Sequence, residues 1–243
     1  MTMKWMASLL LTTICFSGYG QQQLSGVSDG INRVNNDLLT SWLNDIRPSG
    51  EDLSKVEGSP YFLDEWVYGK VVSVRGERYG DVRLKLNLYQ KELMVQPLNS
   101  KDSFLMDDTK LLQFAFVGQD TTHTFMRVQK LEGQKPEPYL DFYQLLVSGN
   151  MNLLYQPIVE IRQPPKTTMA TAGGRGAGFF SREDNFYLYN GVSLEEIKGA
   201  RKPLLKALGR HQKEVDRYIS ENNLKPSKPK DLIKIVSFYN QLN

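Results

Sequence analysis

Val82, Leu84, Leu86 and Leu88 alternate with Arg83, Lys85, Asn87 and Tyr89. A period of two puts every second side chain on one face of an extended chain, which makes this a strand with one buried and one wet face. A helix would need apolar residues three and four apart. Strand patterning recurs on both sides. Trp66 to Val74 precedes, across the turn-rich run Arg75-Gly76-Glu77-Arg78-Tyr79-Gly80, and Glu92 to Gln96 follows, across a tight link at Gln90-Lys91. Leu111 to Val117, Thr122 to Val128, Tyr139 to Val147, Met151 to Glu160 and Asn185 to Tyr189 are further strand candidates. Gly149-Asn150 and Asn190-Gly191 tolerate positive φ and suit two-residue hairpin turns. Hairpin after hairpin with no helix between them predicts an antiparallel β-meander of about seven to nine strands, rolled into a sandwich or a partly closed barrel to manage its edges. The chain is expected to be mainly β, of α+β type. Its 11 Phe and 12 Tyr, most of them in these segments, fit a pleated, half-buried surface.

The two ends follow a different period. Val27, Ile31, Val34, Leu38 and Trp42, with Leu39 and Ile46 beside them, predict an N-terminal helix capped by Ser28 or Asp29 and ended by Pro48-Ser49-Gly50. At the C-terminal end Ser193 and Glu196 have capping-box spacing and predict a helix start, where Glu195 and Glu196 would complement the macrodipole. Gly199 and Pro203 keep that helix short or bent. Leu204, Leu205 and Leu208, then Val215, Tyr218 and Ile219, then Leu232, Ile233, Val236 and Tyr239 form three apolar stripes. They predict two or three small helices packed together or against the sheet.

Residues 1–20 read as a secretory signal peptide. Lys4 supplies the basic start, Ala7 to Phe16 the short apolar core, and Gly18-Tyr19-Gly20 the small-x-small end. The expected organisation is therefore a signal peptide at 1–20, an N-terminal helix and linker at 21–57, an antiparallel β domain at 58–197 with a flexible loop at 162–178, and a basic helical region at 198–243. The loop is opened by Gln163-Pro164-Pro165 and closed by the Gly-rich run 173–178. The only cysteine, Cys15, falls in the signal, so a chain beginning near Gln21 has no disulfide to staple it. Ile14 is too bulky for the position before an acylated cysteine, and lipid anchoring at Cys15 is not expected. The exported chain is expected in the periplasm or outside the cell, with no apolar run long enough to span a bilayer.

No motif for catalysis or for a cofactor stands out. Gly174-Arg175-Gly176-Ala177-Gly178 lacks the Lys-Ser/Thr of a phosphate-binding loop, and a strand rather than a helix follows it. The two histidines, His123 and His211, share no ligand spacing. Neither a metal nor a cofactor is expected. Acid pairs occur at Asp64-Glu65, Asp107-Asp108, Glu183-Asp184 and Glu195-Glu196. Neighbours on a strand point to opposite faces, so such pairs make poor dyads by themselves.

Charge is more telling. The net charge is only +3, but Lys198 to Lys234 holds eleven Lys and Arg against four acids, a local +7, and the remainder of the chain carries 19 basic and 23 acidic residues. That asymmetry singles out Lys198, Arg201, Lys202, Lys206, Arg210, Lys213 and Arg217 as candidate contacts to an anionic partner. For an exported chain the partner is an envelope protein, an anionic lipid or a polysaccharide rather than nucleic acid. The expected function is recognition of another cell-envelope component without catalysis. The alternative is hydrolysis of an envelope polymer by Asp and Glu residues drawn from distant segments.

Gly58-Ser59-Pro60-Tyr61-Phe62-Leu63-Asp64-Glu65-Trp66 is the most distinctive run. Together with Leu86-Asn87-Leu88-Tyr89, Asn185-Phe186-Tyr187-Leu188-Tyr189 and Phe238-Tyr239-Asn240, it resembles a group of uncharacterised secreted bacterial proteins across residues 58–240. The resemblance implies an envelope-associated β-meander with a helical end and carries over no functional residue. Read from the residues alone, Pro60 fixes the entry to the first strand, and Tyr61, Phe62 and Trp66 plug one end of the sheet.

Overall fold

The alternating segments become strands of one antiparallel sheet. The computed structural model describes residues 43–45, 53–128, 142–163 and 178–242. The expected signal peptide, nearly all of the expected N-terminal helix and most of the 162–178 loop lie outside these residues. In chain order the strands are β1 (Leu43–Asp45), β2 (Val67–Ser73), β3 (Arg78–Asn87), β4 (Glu92–Pro97), β5 (Phe104–Met106), β6 (Leu111–Val117), β7 (Thr122–Arg127), β8 (Phe142–Val147), β9 (Asn152–Arg162), β10 (Phe179–Tyr189) and β11 (Leu194–Glu196). Their order across the sheet is β1-β5-β4-β3-β2-β6-β7-β8-β9-β10-β11. Two meanders, β2–β5 and β6–β11, are joined where β6 pairs with the free side of β2.

The sheet is rolled. Asp107 to Lys110 alone connect β5 to β6, although three strands lie between them in sheet order. Four inter-strand steps of about 4.8 Å would part the two strands by about 19 Å in a flat sheet, while five residues of chain reach about 17 Å at most. Rings from β10 and from the turn after β3 also meet, Phe180 and Tyr89 lying 5.6 Å apart. Register shifts within β2, at Gly69/Val71 and Val72/Ser73, supply local bending. Gly69 is required at the tightest point, because a Cβ there would stand 2.3 Å from Leu84 Cδ1 and 3.0 Å from the Ala115 carbonyl oxygen.

The inner face holds the main core: Val71, Val82, Leu84, Leu86, Leu93, Val95, Phe114, Phe116 and Phe125, with Phe142 and Val159 from further round. The sheet does not close strand on strand. A strap, residues 57–62, ties the two sides instead. Glu57 bridges to Phe179 at the start of β10, and Tyr61 bridges to Asn87 at the end of β3. Pro60 lies in this strap rather than at a strand entry, its carbonyl accepting from the Leu88 amide at 2.7 Å. Phe62 plugs the core, 5.0 Å edge-on from Phe125. Tyr61 does not. Its ring lies 4.1 Å from Lys85 Nζ, and Lys85 alternates with the buried Leu84 and Leu86, so Tyr61 is on the outer face.

Three helices close the chain: α1 (Arg201–Leu208), α2 (Gln212–Glu221) and α3 (Pro229–Gln241). Each buries a stripe: Leu204 and Leu208; Val215 and Ile219; Leu232, Ile235, Val236 and Tyr239. These stripes pack on Leu153 and Leu188 of the sheet and on Met151 of the turn before β9 as a second core. Pro203 sits in the first turn of α1, where no intrahelical N–H is lost, and Pro229 opens α3. Tyr218 and Phe238 stack with ring centres 4.0 Å apart, joining α2 to α3.

Several local expectations are corrected. Leu43–Asp45, expected inside the N-terminal helix, pairs with β5 as an edge strand. Ser193 and Glu196 do not start a helix. The Asn190 side-chain oxygen accepts from the Val192 and Ser193 amides, at 3.0 and 2.8 Å, and so turns the chain into β11. Glu195 and Glu196 therefore lie on an edge strand, not at a helix N-terminus. The connections expected to span two residues span four, because the Asn side chains at their ends cap amides inside the turn, as Asn87 does for Tyr89 and Gln90.

Candidate ligand-binding site

The inner face carries a polar belt between its two apolar cores. On β8, Phe142 belongs to the first core and Leu146 to the second, with Gln144 between them. On β9 the order is Val159, Tyr155, Leu153. On β10 it is Phe180, then Arg182 and Asp184, then Phe186. On β9 and β10 these positions share a face because even numbers of residues separate them along each strand. Register lines them up across strands: Gln144 pairs with Tyr155, and Tyr155 with Phe186, which leaves Tyr155 diagonal to Asp184.

Side-chain bonds join the belt. The Tyr155 hydroxyl donates to Asp184 Oδ1 at 2.5 Å and accepts from Arg182 Nη2 at 2.7 Å. Arg182 Nε donates to the same Asp184 oxygen at 3.2 Å. The guanidinium carbon stands 5.6 Å from the Phe62 ring centre and 5.9 Å from that of Tyr155, so two aromatic rings flank the cation. Beyond Phe62 lies His123, 5.3 Å away and edge-on, with its Nδ1 2.9 Å from Gln144 Nε2. A Gln144 amide that donates here leaves the His123 proton on Nε2.

Burial tunes these groups. Desolvation pushes the Tyr155 phenol up to about 12, the bond to Asp184 adding to the rise and Arg182 opposing it. Tyr155 is therefore a neutral donor across the physiological range. Burial lowers the His123 pKa below its ordinary value of 6.5 and keeps the ring neutral. A raised phenol pKa favours the folded state fully below the unfolded value near 10 and loses that contribution as pH rises through about 12. Phenolate absorbance should accordingly show one tyrosine titrating near 12 that is missing in Tyr155→Phe. A Tyr155→Phe curve identical to that of the parent chain would refute the assignment.

The sequence-derived basic residues lie elsewhere. On α1, Lys202 and Lys206 precede the buried Leu204 and Leu208 by two positions, and on α2 Lys213 and Arg217 precede Val215 and Ile219 likewise. Two residues are about 200° around a helix, so these cations point away from the core. Lys198, Lys202, Lys206, Arg210 and Lys213 are exposed and form no ion pair with a described residue. Arg201 differs. Its Nε is 2.6 Å from Asp216 Oδ1, and Nη2 donates to the Asp216 carbonyl and to Ser220 Oγ, so it clamps α1 to α2. Arg217 stands 4.0 Å from Glu221 one turn on.

Of the acid pairs, Glu183 and Asp184 do split between the two faces, Glu183 lying 3.9 Å from Arg162 and Asp184 joining the belt. No group of three or more His, Cys, Asp or Glu side chains among the described residues is placed to hold a metal ion. Tyr155, Gln144 and Arg182 carry no sequence signal as a set. Arg182-x-Asp184 on one strand face is the only local hint, and its partner Tyr155 is identified only by hairpin register. The chain matches no protein-family model, no curated protein and no solved structure.

Proposed function

We propose that the protein is an exported recognition protein that binds an anionic component of the cell envelope through α1, α2 and their flanking loops, without catalysis. The supporting observation is the set of five exposed cations, Lys198, Lys202, Lys206, Arg210 and Lys213, that no described carboxylate neutralises. Their helices are anchored to the sheet by the second core, so the charges ride on a fixed layer rather than a loose tail. Export rests on the signal-like residues 1–20, and the resemblance to secreted envelope proteins agrees with it. Among the described residues no helix is long and apolar enough to cross a membrane.

Vesicles containing phosphatidylglycerol, an acidic polysaccharide, and neutral phosphatidylcholine vesicles are the probes. Binding to an anionic probe should weaken at least about a hundredfold in the triple variant Lys202→Glu, Lys206→Glu, Lys213→Glu, at about 1 kcal/mol per lysine near a charged surface. Raised salt should do the same. Affinity unchanged by both, or equal for neutral vesicles, would remove this surface from consideration. Turnover of an envelope polymer, lost on single Asp or Glu substitution, would replace the reading with that of a hydrolase.

A further inference from the structure

We propose that the belt formed by Phe62, His123, Gln144, Tyr155, Arg182 and Asp184 is a second binding site, and that it takes a neutral saccharide. This is independent of the basic helices, which present a different surface and a different chemistry. Three observations carry it. First, the belt interrupts a face that is otherwise apolar, with a core on each side of it. Within that face Arg182 and Asp184 reach solvent, while Gln144 beside them is buried.

Second, the network keeps donors and acceptors to spare at solvent. The Arg182 and Asp184 side chains are 40% and 54% exposed. Among the described residues Arg182 bonds through Nε and Nη2, which leaves Nη1 without a partner, and Asp184 bonds through Oδ1 alone. Donor and acceptor side by side match vicinal hydroxyls, each of which both donates and accepts. Arg182 and Asp184 cancel in charge, and Tyr155 and His123 are held neutral, so nothing here favours an anion over a polyol.

Third, aromatic rings pack around these polar groups. Phe62 and Tyr155 flank the guanidinium, and Phe186 lies 5.2 Å from Tyr155, tilted by 31°. The C–H face of a pyranose is apolar while its rim is hydroxylated. An aromatic ring beside a fork of convergent polar groups is complementary to both.

The full chain is applied to an array of neutral oligosaccharides built from glucose, galactose, mannose and N-acetylglucosamine, with uronic-acid oligomers alongside. At least one neutral oligosaccharide should be retained. Asp184→Asn and Tyr155→Phe should each weaken it at least tenfold, and the Lys202→Glu, Lys206→Glu, Lys213→Glu variant should leave it within twofold. Raising NaCl from ~50 to ~500 mM should change it less than twofold, because no net charge is matched. Retention of no neutral sugar, retention unchanged in both belt variants, or retention of uronic acids alone would overturn the proposal. Circular dichroism and thermal melting establish that each variant folds. Should Asp184→Asn not fold, Tyr155→Phe, which deletes one oxygen, decides the matter.

Discussion

Phe114→Ala is expected to destabilise the fold by about 3–5 kcal/mol, the range for deleting a buried aromatic ring. Phe114 is 1% exposed. Its ring stacks on Phe125 at 4.9 Å and meets Phe116 and Phe142 edge-on at 5.8 and 5.2 Å. Those partners come from β6, β7 and β8, strands held by continuous pairing, so they are poorly free to collapse into the space left behind. The cost therefore combines lost transfer energy with an unfilled cavity. Urea unfolding of the parent and the variant measures it directly. For a chain of this size the melting temperature should fall by about 10 °C. A loss below about 1 kcal/mol would show that the first core is not organised around this ring.

Asn240→Ala should cost about 2–4 kcal/mol, through a different mechanism. The Asn240 side chain near the end of α3 accepts from the Met151 amide at 2.9 Å and donates to the Met151 carbonyl at 2.8 Å. It thus mimics a strand neighbour for a buried residue in the β8–β9 turn. Alanine would orphan both backbone groups, each worth about 1–3 kcal/mol when buried without a partner. Gly149 supplies the clearance, since a Cβ there would fall 2.4 Å from Asn240 Nδ2. Gly149→Ala should therefore reproduce much of the loss, and the double variant should be clearly less destabilised than the sum of the two. Accelerated hydrogen exchange at the Met151 amide is the local readout. Additive losses would mean that Gly149 and Asn240 act separately.

Strand identity was legible wherever one face of the sheet is buried and the other wet. Leu84 and Leu86 alternate with Arg83 and Lys85 because the roll of the sheet puts only one face inside. The three C-terminal stripes were legible for the same reason, each helix having a single buried side. The three-residue strands β1, β5 and β11 were not. Three residues are too few to establish a period, and pairing with a neighbour rather than burial holds them in place. Ser193 and Glu196 misled because the same Ser and Asn chemistry that caps helices also closes turns, and Asn190 won the competition for those amides.

The functional residues divide in the same way. The cations of α1 and α2 could be read from the sequence, since charge asymmetry and helical spacing are local properties, although only the fold revealed Arg201 as an internal clamp to Asp216. The inner belt could not be read. Tyr155, Arg182 and Asp184 become neighbours only once β9 and β10 are paired in one register, and Phe62 joins them only because the strap crosses from β10 to β3. By itself the sequence determined the meander, the helical close and the basic helical surface, because periodicity and charge count are written residue by residue. The strap that ties the sides of the sheet and the polar belt between two cores were decided by tertiary structure, because each depends on contacts between residues far apart in the chain.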